Sequence, residues 1–174
     1  SKALLNIAGM IDKSKKYSDY GVSFSDPKID IKKIKQHKDT VINKLRQGVS
    51  SLAKARNVEV IQGRGVFEDS STLRVETSTG QAYYSFNHAI IATGSRQFIP
   101  NSLDLGNPRI MTSYEALDVE DIPKDLLVIG GGYIGMELGS VYASLGSNVS
   151  VVEAMDEILS GADSDLVRVF QKYV

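Results

Sequence analysis

The stretch Leu126-Leu127-Val128-Ile129-Gly130-Gly131-Gly132-Tyr133-Ile134-Gly135-Met136-Glu137 decides the fold. It reads as a strand running into a glycine turn and then a helix. Four apolar residues precede the turn, as in a strand of a parallel sheet buried on both faces. Gly130, Gly132 and Gly135 satisfy G-x-G-x-x-G. The helical pattern runs from Tyr133 to about Leu145 and Gly146 stops it. Asn148-Val149-Ser150-Val151-Val152 reads as a second strand. It ends on Glu153, within the roughly 20-residue window in which a nucleotide-binding turn places an acid. Gly130 suits the tight turn, Gly132 a close approach of backbone to pyrophosphate, and Gly135 close packing of helix on strand, with Gly139 a further small residue one turn on. The phosphates would sit at the helix N-terminus, where free N–H groups and the dipole favour anions. Glu153 would accept hydrogen bonds from a ribose diol. A glycine turn in an ordinary α/β protein is the plainer reading. Strand, helix, strand and acid in one order weigh against it.

Composition narrows the function classes. The chain has 174 residues and a net charge of −1, so nothing in it suggests a polyanion partner. It has no cysteine, which excludes disulfides, thiolate metal sites and thiol catalysis within these residues. The two histidines, His37 and His88, leave little room for a metal centre. No apolar run approaches the roughly 18 residues of a membrane span, and no signal peptide opens the sequence.

Upstream of the turn, Leu4, Ile7, Ala8 and Ile11 have helical spacing. Asp30 is placed to cap a longer helix with the stripe Ile31, Ile34, Val41 or Ile42, Leu45, Val49 and Leu52. The lysines at 32, 33, 35, 38 and 44 read mostly as its solvated face, and His37 as packed or solvated. Val58–Ile61, Val66-Phe67, Thr72–Thr77 and Ala82–Phe86 alternate between turns, as in an antiparallel meander. Ala89-Ile90-Ile91-Ala92 is a continuous apolar run, hence a buried strand, ending on Thr93-Gly94-Ser95. Residues 98–123, punctuated by Pro100, Gly106, Pro108 and Pro123, read as a linker with a short helix near Met111–Leu117. Asp163 or Ser164 can cap a last helix bearing Leu166, Val167 and Phe170.

Three signatures occur together: Ser1-Lys2-Ala3-Leu4-Leu5, Ala92-Thr93-Gly94-Ser95-Arg96, and the glycine fingerprint ending on Glu153. In order and separation the chain resembles the flavoprotein disulfide reductases with two dinucleotide-binding domains, and among them the bacterial-type dihydrolipoamide dehydrogenases. The resemblance implies an α/β fold. Residues 1–97 would be part of an FAD-binding Rossmann-like domain with a β-meander, 98–123 a linker, and 124–174 the first half of an NAD-binding Rossmann domain. It implies FAD and NAD as cofactors, with Lys2 beside the flavin ring, Gly65 offering a backbone N–H to FAD, and Thr93, Gly94 and Ser95 as a second FAD contact. Gly130, Gly131, Gly132, Tyr133, Ile134 and Gly135 would form the NAD pyrophosphate turn. Glu137 would stand where nicotinamide meets flavin, paired with Lys2, and Glu153 would bind the adenosine ribose. Gln97 departs from the proline usual after Ser-Arg.

The resemblance also implies an internal segment of a larger homodimeric cytoplasmic enzyme (mitochondrial matrix in a eukaryote). Its redox cysteines and catalytic histidine would lie outside these residues. That enzyme would oxidise the lipoyl domain of the acyltransferase component of 2-oxo acid dehydrogenase complexes and pass electrons to NAD; the segment alone would be inactive. A mercuric or glutathione reductase-like relative and a non-catalytic dinucleotide-binding module are the alternatives. A Cys-x-x-x-x-Cys ending three residues before Ser1 would separate the enzyme from the module.

Overall fold

The computed structural model describes residues 1–172. The last two residues of the expected NAD-binding part, 173 and 174, lie outside them. The chain divides into two compact units, residues 1–43 with 97–174, and residues 44–96.

The first unit is built on two helices. Helix α1 spans Lys2–Lys16 and continues as a 3-10 turn over Tyr17–Tyr20. Leu4, Ala8 and Ile11 form its buried stripe, as their spacing predicts. They pack with Val141, Tyr142 and Leu145 of a later helix, and with Ile34 and Val119, into one cluster. Helix α2 spans Ile31–Ala55. Asp30 caps it, its Oδ1 accepting the Lys33 N–H at 3.1 Å.

The solvated lysine face needs one correction. Lys38 is buried, with Asp118 2.8 Å away. Only the first turns of α2 carry a packed face in this unit, and Lys38 stands there beside Ile34. Leu45, Val49 and Leu52 of the expected stripe are more than 60% exposed. His37 is exposed.

A six-residue helix α3, Ser113–Asp118, follows the prolines. Thr112 Oγ1 accepts the Tyr114 N–H at 3.3 Å, and the Glu115 carboxylate accepts the Thr112 N–H at 2.8 Å, a capping box. The predicted strand–turn–helix–strand unit then follows. It comprises β4 Asp125–Ile129, α4 Tyr133–Leu145 and β5 Asn148–Val152 (these strand numbers follow the three of the second unit). β4 and β5 are parallel, with Leu126 opposite Val149 and Val128 opposite Val151. Helix α4 covers one face of β4. The other face is open: Leu127 and Ile129 are 57% and 59% exposed, as two strands of an incomplete parallel sheet would be. Among the described residues no second helix covers that face. A final helix α5, Ser164–Phe170, buries Val167 and leaves Leu166 exposed.

The second unit holds the end of α2 from Lys44 and the predicted meander. β1 Arg64–Phe67, β2 Thr72–Thr77 and β3 Gly80–Ser85 pair antiparallel in that order. Phe67 meets Phe86 edge-on at 5.7 Å, and Arg74 is ion-paired with Glu68 and Glu76, which raises its pKa further. Two expected strands are absent. Val58–Ile61 and Ala89–Ala92 have no regular structure, and Ile90 is 95% exposed. A strand exists by hydrogen bonding to a neighbour, and no described strand pairs with either run.

Candidate functional site

The site is the turn between β4 and α4. Gly130 has φ +104, which a side chain disfavours, and its N–H is bonded to the Val152 carbonyl at 2.8 Å. Gly135 is required by contact. A Cβ there would stand 2.4 Å from the Gly130 carbonyl oxygen and 3.0 Å from Val128. Helix and strand therefore touch through Gly135, the packing role that the sequence pattern assigns it.

The turn divides its N–H groups. Those of Gly130 and Gly131 are committed to the fold, the second donating to Glu153 Oε2 at 2.6 Å. Those of Gly132, Tyr133 and Ile134 have no acceptor among the described residues, and a Cβ on Gly132 would meet nothing within 4 Å. The result is an open cradle with three donors at the positive end of a 13-residue helix. It fits a diphosphate. The cradle borders an apolar trough of about 830 Å³, whose walls include Phe98, Leu105, Ile110, Leu127, Ile129 and Tyr133.

Glu153 follows β5 directly. Its carboxylate accepts the Met155 N–H at 2.9 Å as well as that of Gly131. The Met155 bond, then the Gly131 bond, lowers its pKa below the usual glutamate range. The group is ionised at neutral pH, and a carboxylate has lone pairs for a diol beyond these two donors.

The structure thus brings Gly130, Gly131, Gly132, Tyr133, Ile134, Gly135 and Glu153 together. Glu137 stands one turn into α4, half-buried. The expected Lys2–Glu137 ion pair is not formed. Lys2 is exposed, and no ion pair among the described residues includes either residue. Lys2 opens a helix that faces α4 through its apolar stripe, with Asp12, further along that helix, accepting a hydrogen bond from Ser144 at 2.8 Å. In the second unit Gly65 lies in β1, and Thr93, Gly94 and Ser95 form an exposed segment with Gly94 at φ +74. No hydrogen bond among the described residues joins Gly65 to that segment. No group of three or more His, Cys, Asp or Glu among the described residues is arranged for a metal. No helix among them is long and apolar enough to cross a membrane.

Two residues at the turn carry no sequence motif. Ile158 and Leu159 close over Gly131, with the Leu159 N–H bonded to its carbonyl at 2.8 Å. An apolar pair inside the polar loop 154–162 was the available signal.

Comparison with known proteins gives the same assignment. The sequence profile described as pyridine nucleotide-disulphide oxidoreductase matches residues 1–174. Dihydrolipoyl dehydrogenase of Vibrio parahaemolyticus is 43% identical over 178 residues, covering 100% of this chain and 37% of that protein. The Bacillus subtilis dihydrolipoyl dehydrogenase is 40% identical over 167 residues, covering 95% and 35% respectively. The HOCl-induced flavoprotein disulfide reductase RclA of Escherichia coli has a TM-score of 0.76 at 27% identity, covering 99% of this chain and 35% of its own. LpdA of Mycobacterium tuberculosis shares the fold at a TM-score of 0.84 and 24% identity, over 99% of this chain and 38% of its own. The chain spans little more than a third of the length of these relatives. With the glycine fingerprint in place and the profile matching the full chain, the chain belongs to the pyridine nucleotide-disulphide oxidoreductase family.

Proposed function

We propose that the chain is the cofactor-holding part of a dihydrolipoyl dehydrogenase, binding FAD through residues 1–97 and NAD through residues 124–174, with 98–123 between them. The observation that supports this best is the glycine cradle. Three N–H groups stand free above α4, and an ionised Glu153 lies beside them at the end of β5. Gly132, Tyr133 and Ile134 would hold the diphosphate and Glu153 the adenosine ribose diol. A 2′-phosphate would meet the Glu153 charge, so the site favours NAD over NADP. Lys2, Gly65, Thr93, Gly94, Ser95 and Glu137 are the flavin-side and nicotinamide-side positions of the same reading. When bound, the flavin and nicotinamide carry the electrons taken from the substrate dithiol. The chain's own residues bind and orient them; without cysteine, they cannot exchange with a thiol.

In the whole protein the substrate is the dihydrolipoyl group on the lipoyl domain of a 2-oxo acid dehydrogenase complex. The enzyme is a cytoplasmic homodimer. A single assay tests the reading. The purified whole protein is given NAD⁺ with dihydrolipoamide, NADPH with oxidised glutathione, or neither substrate. NADH formed only with dihydrolipoamide, by a yellow protein, supports it. Turnover with glutathione instead moves the chain to another disulfide reductase, and a colourless protein inert with both is a non-catalytic nucleotide module.

A further inference from the structure

Gly131 is the middle of three consecutive glycines, the most freely rotating tripeptide a chain can contain. Yet both of its polar groups are held. Its N–H is bonded to Glu153 at 2.6 Å and its carbonyl to the Leu159 N–H at 2.8 Å. A Cβ on Gly131 would stand 2.6 Å from Ile158 Cγ2, so the loop lies directly on the peptide. The loop closes on itself through the Ala162 N–H, bonded to the Leu159 carbonyl at 2.8 Å. Leu159 itself has φ +53, one of three non-glycine residues among those described with a left-handed backbone. Such a conformation is uncommon for leucine and persists where the surroundings over-determine it. Here it is the conformation in which the Leu159 N–H reaches Gly131.

We propose that residues 154–162 are a latch on the nucleotide turn, with Leu159 as its positioning residue. The latch fixes the Gly131 peptide, so that the amides of Gly132, Tyr133 and Ile134 converge on the diphosphate. The proposal rests on the nucleotide assignment above.

The test uses ADP-ribose, which carries the diphosphate and adenosine ribose without the reactive ring, titrated calorimetrically into the whole protein. Leu159→Pro removes the donor and forbids the left-handed backbone. Leu159→Gly keeps both. The expected result is a loss of about tenfold in affinity for Leu159→Pro, the scale of one hydrogen bond, and rescue by Leu159→Gly. In the wild type, hydrogen exchange at the Gly131 and Leu159 amides should be slow, a readout that needs no variant and no ligand. Equal affinity in Leu159→Pro and wild type overturns the latch, and so does a Gly131 amide exchanging as fast as an exposed loop. A wild type that keeps these amides protected but does not bind ADP-ribose overturns the nucleotide assignment and, with it, the positioning role.

Discussion

Lys38 Nζ lies 2.8 Å from Asp118 Oδ1, joining a helix before the meander to one after it. Asp39 stands 3.5 Å from the same ammonium, and the Leu117 carbonyl accepts from it at 3.3 Å. The lysine side chain is 10% exposed and Asp118 51%. Losing Asp118 leaves the buried ammonium with only the longer Asp39 contact and the Leu117 carbonyl, whereas losing Lys38 leaves a carboxylate that water reaches. Asp118→Ala is therefore expected to cost about 2 kcal/mol, below the 3–5 of a fully buried pair because of solvent screening, and Lys38→Met less. Urea midpoints of the two variants check the order.

The same pair sets a pH window. Its hydrogen bond to Lys38 lowers the Asp118 pKa. Burial pulls the Lys38 pKa down, but Asp118 and then Asp39 outweigh it and the net shift is upward. A lowered carboxylate contributes above its unfolded pKa of about 3.9, and that contribution is lost as pH falls through the folded value. A raised ammonium contributes below its unfolded pKa of about 10.4, and that contribution is lost as pH rises through the folded value. Stability measured across pH should lose part of its acid limb in Asp118→Asn; an unchanged acid limb would count against the pair.

Gly135 and Gly139 lie one turn apart on α4 and should respond oppositely to alanine. A Cβ at 135 meets backbone at 2.4 Å, while at 139 the nearest atoms are at 3.5 and 3.6 Å, ordinary contact. Gly135→Ala should destabilise by about 1–3 kcal/mol, the cost of overpacking. Gly139→Ala should be neutral or gain up to about 1 kcal/mol of helix propensity. Thermal melts of both variants decide.

Glu153 should set cofactor preference. Its Met155 and Gly131 hydrogen bonds hold the pKa low, so the carboxylate stays charged well below neutral pH. NADH affinity should accordingly be flat from about pH 8 down to the ordinary glutamate range near 4.3, and fall only as pH drops through the lowered value. Glu153→Gln keeps an acceptor but loses the charge. It should lower NADH affinity by about tenfold and narrow the margin over NADPH. Unaltered discrimination in that variant would remove Glu153 from the specificity argument.

Val119 is a β-branched residue with φ +48 at the end of α3, and it is fully buried. Two effects oppose each other there. Truncation opens a cavity, costing about 1–3 kcal/mol, while glycine releases a left-handed strain of about 1–2 kcal/mol. Val119→Gly should therefore be no less stable than Val119→Ala, against the usual penalty for glycine. A clearly weaker glycine variant would show that Val119 is not strained.

How much was legible depended on whether a residue's partner is local. The turn was readable because Gly130, Gly135 and Glu153 act within one strand–helix–strand unit. The capping of α2 and the meander were readable for the same reason. The apolar run Ala89–Ala92 suits a buried strand, but a strand requires a neighbour, and the described residues supply none. Lys38 shares its spacing with solvated lysines, and the partner that tells it apart, Asp118, is remote in sequence. Ile158 and Leu159 offer only a weak signal, an apolar pair in a loop, since what they do to Gly131 passes through one backbone bond and one methyl contact.

The two hydrogen bonds on the Gly131 peptide carry a thermodynamic consequence. A triple-glycine turn that froze only on meeting its ligand would bind with a large unfavourable entropy. Here Glu153 and Leu159 hold the turn through hydrogen bonds internal to the chain, so the ordering cost belongs to folding instead of to binding. Diphosphate capture at this turn should therefore show little conformational entropy loss and only a small heat-capacity change.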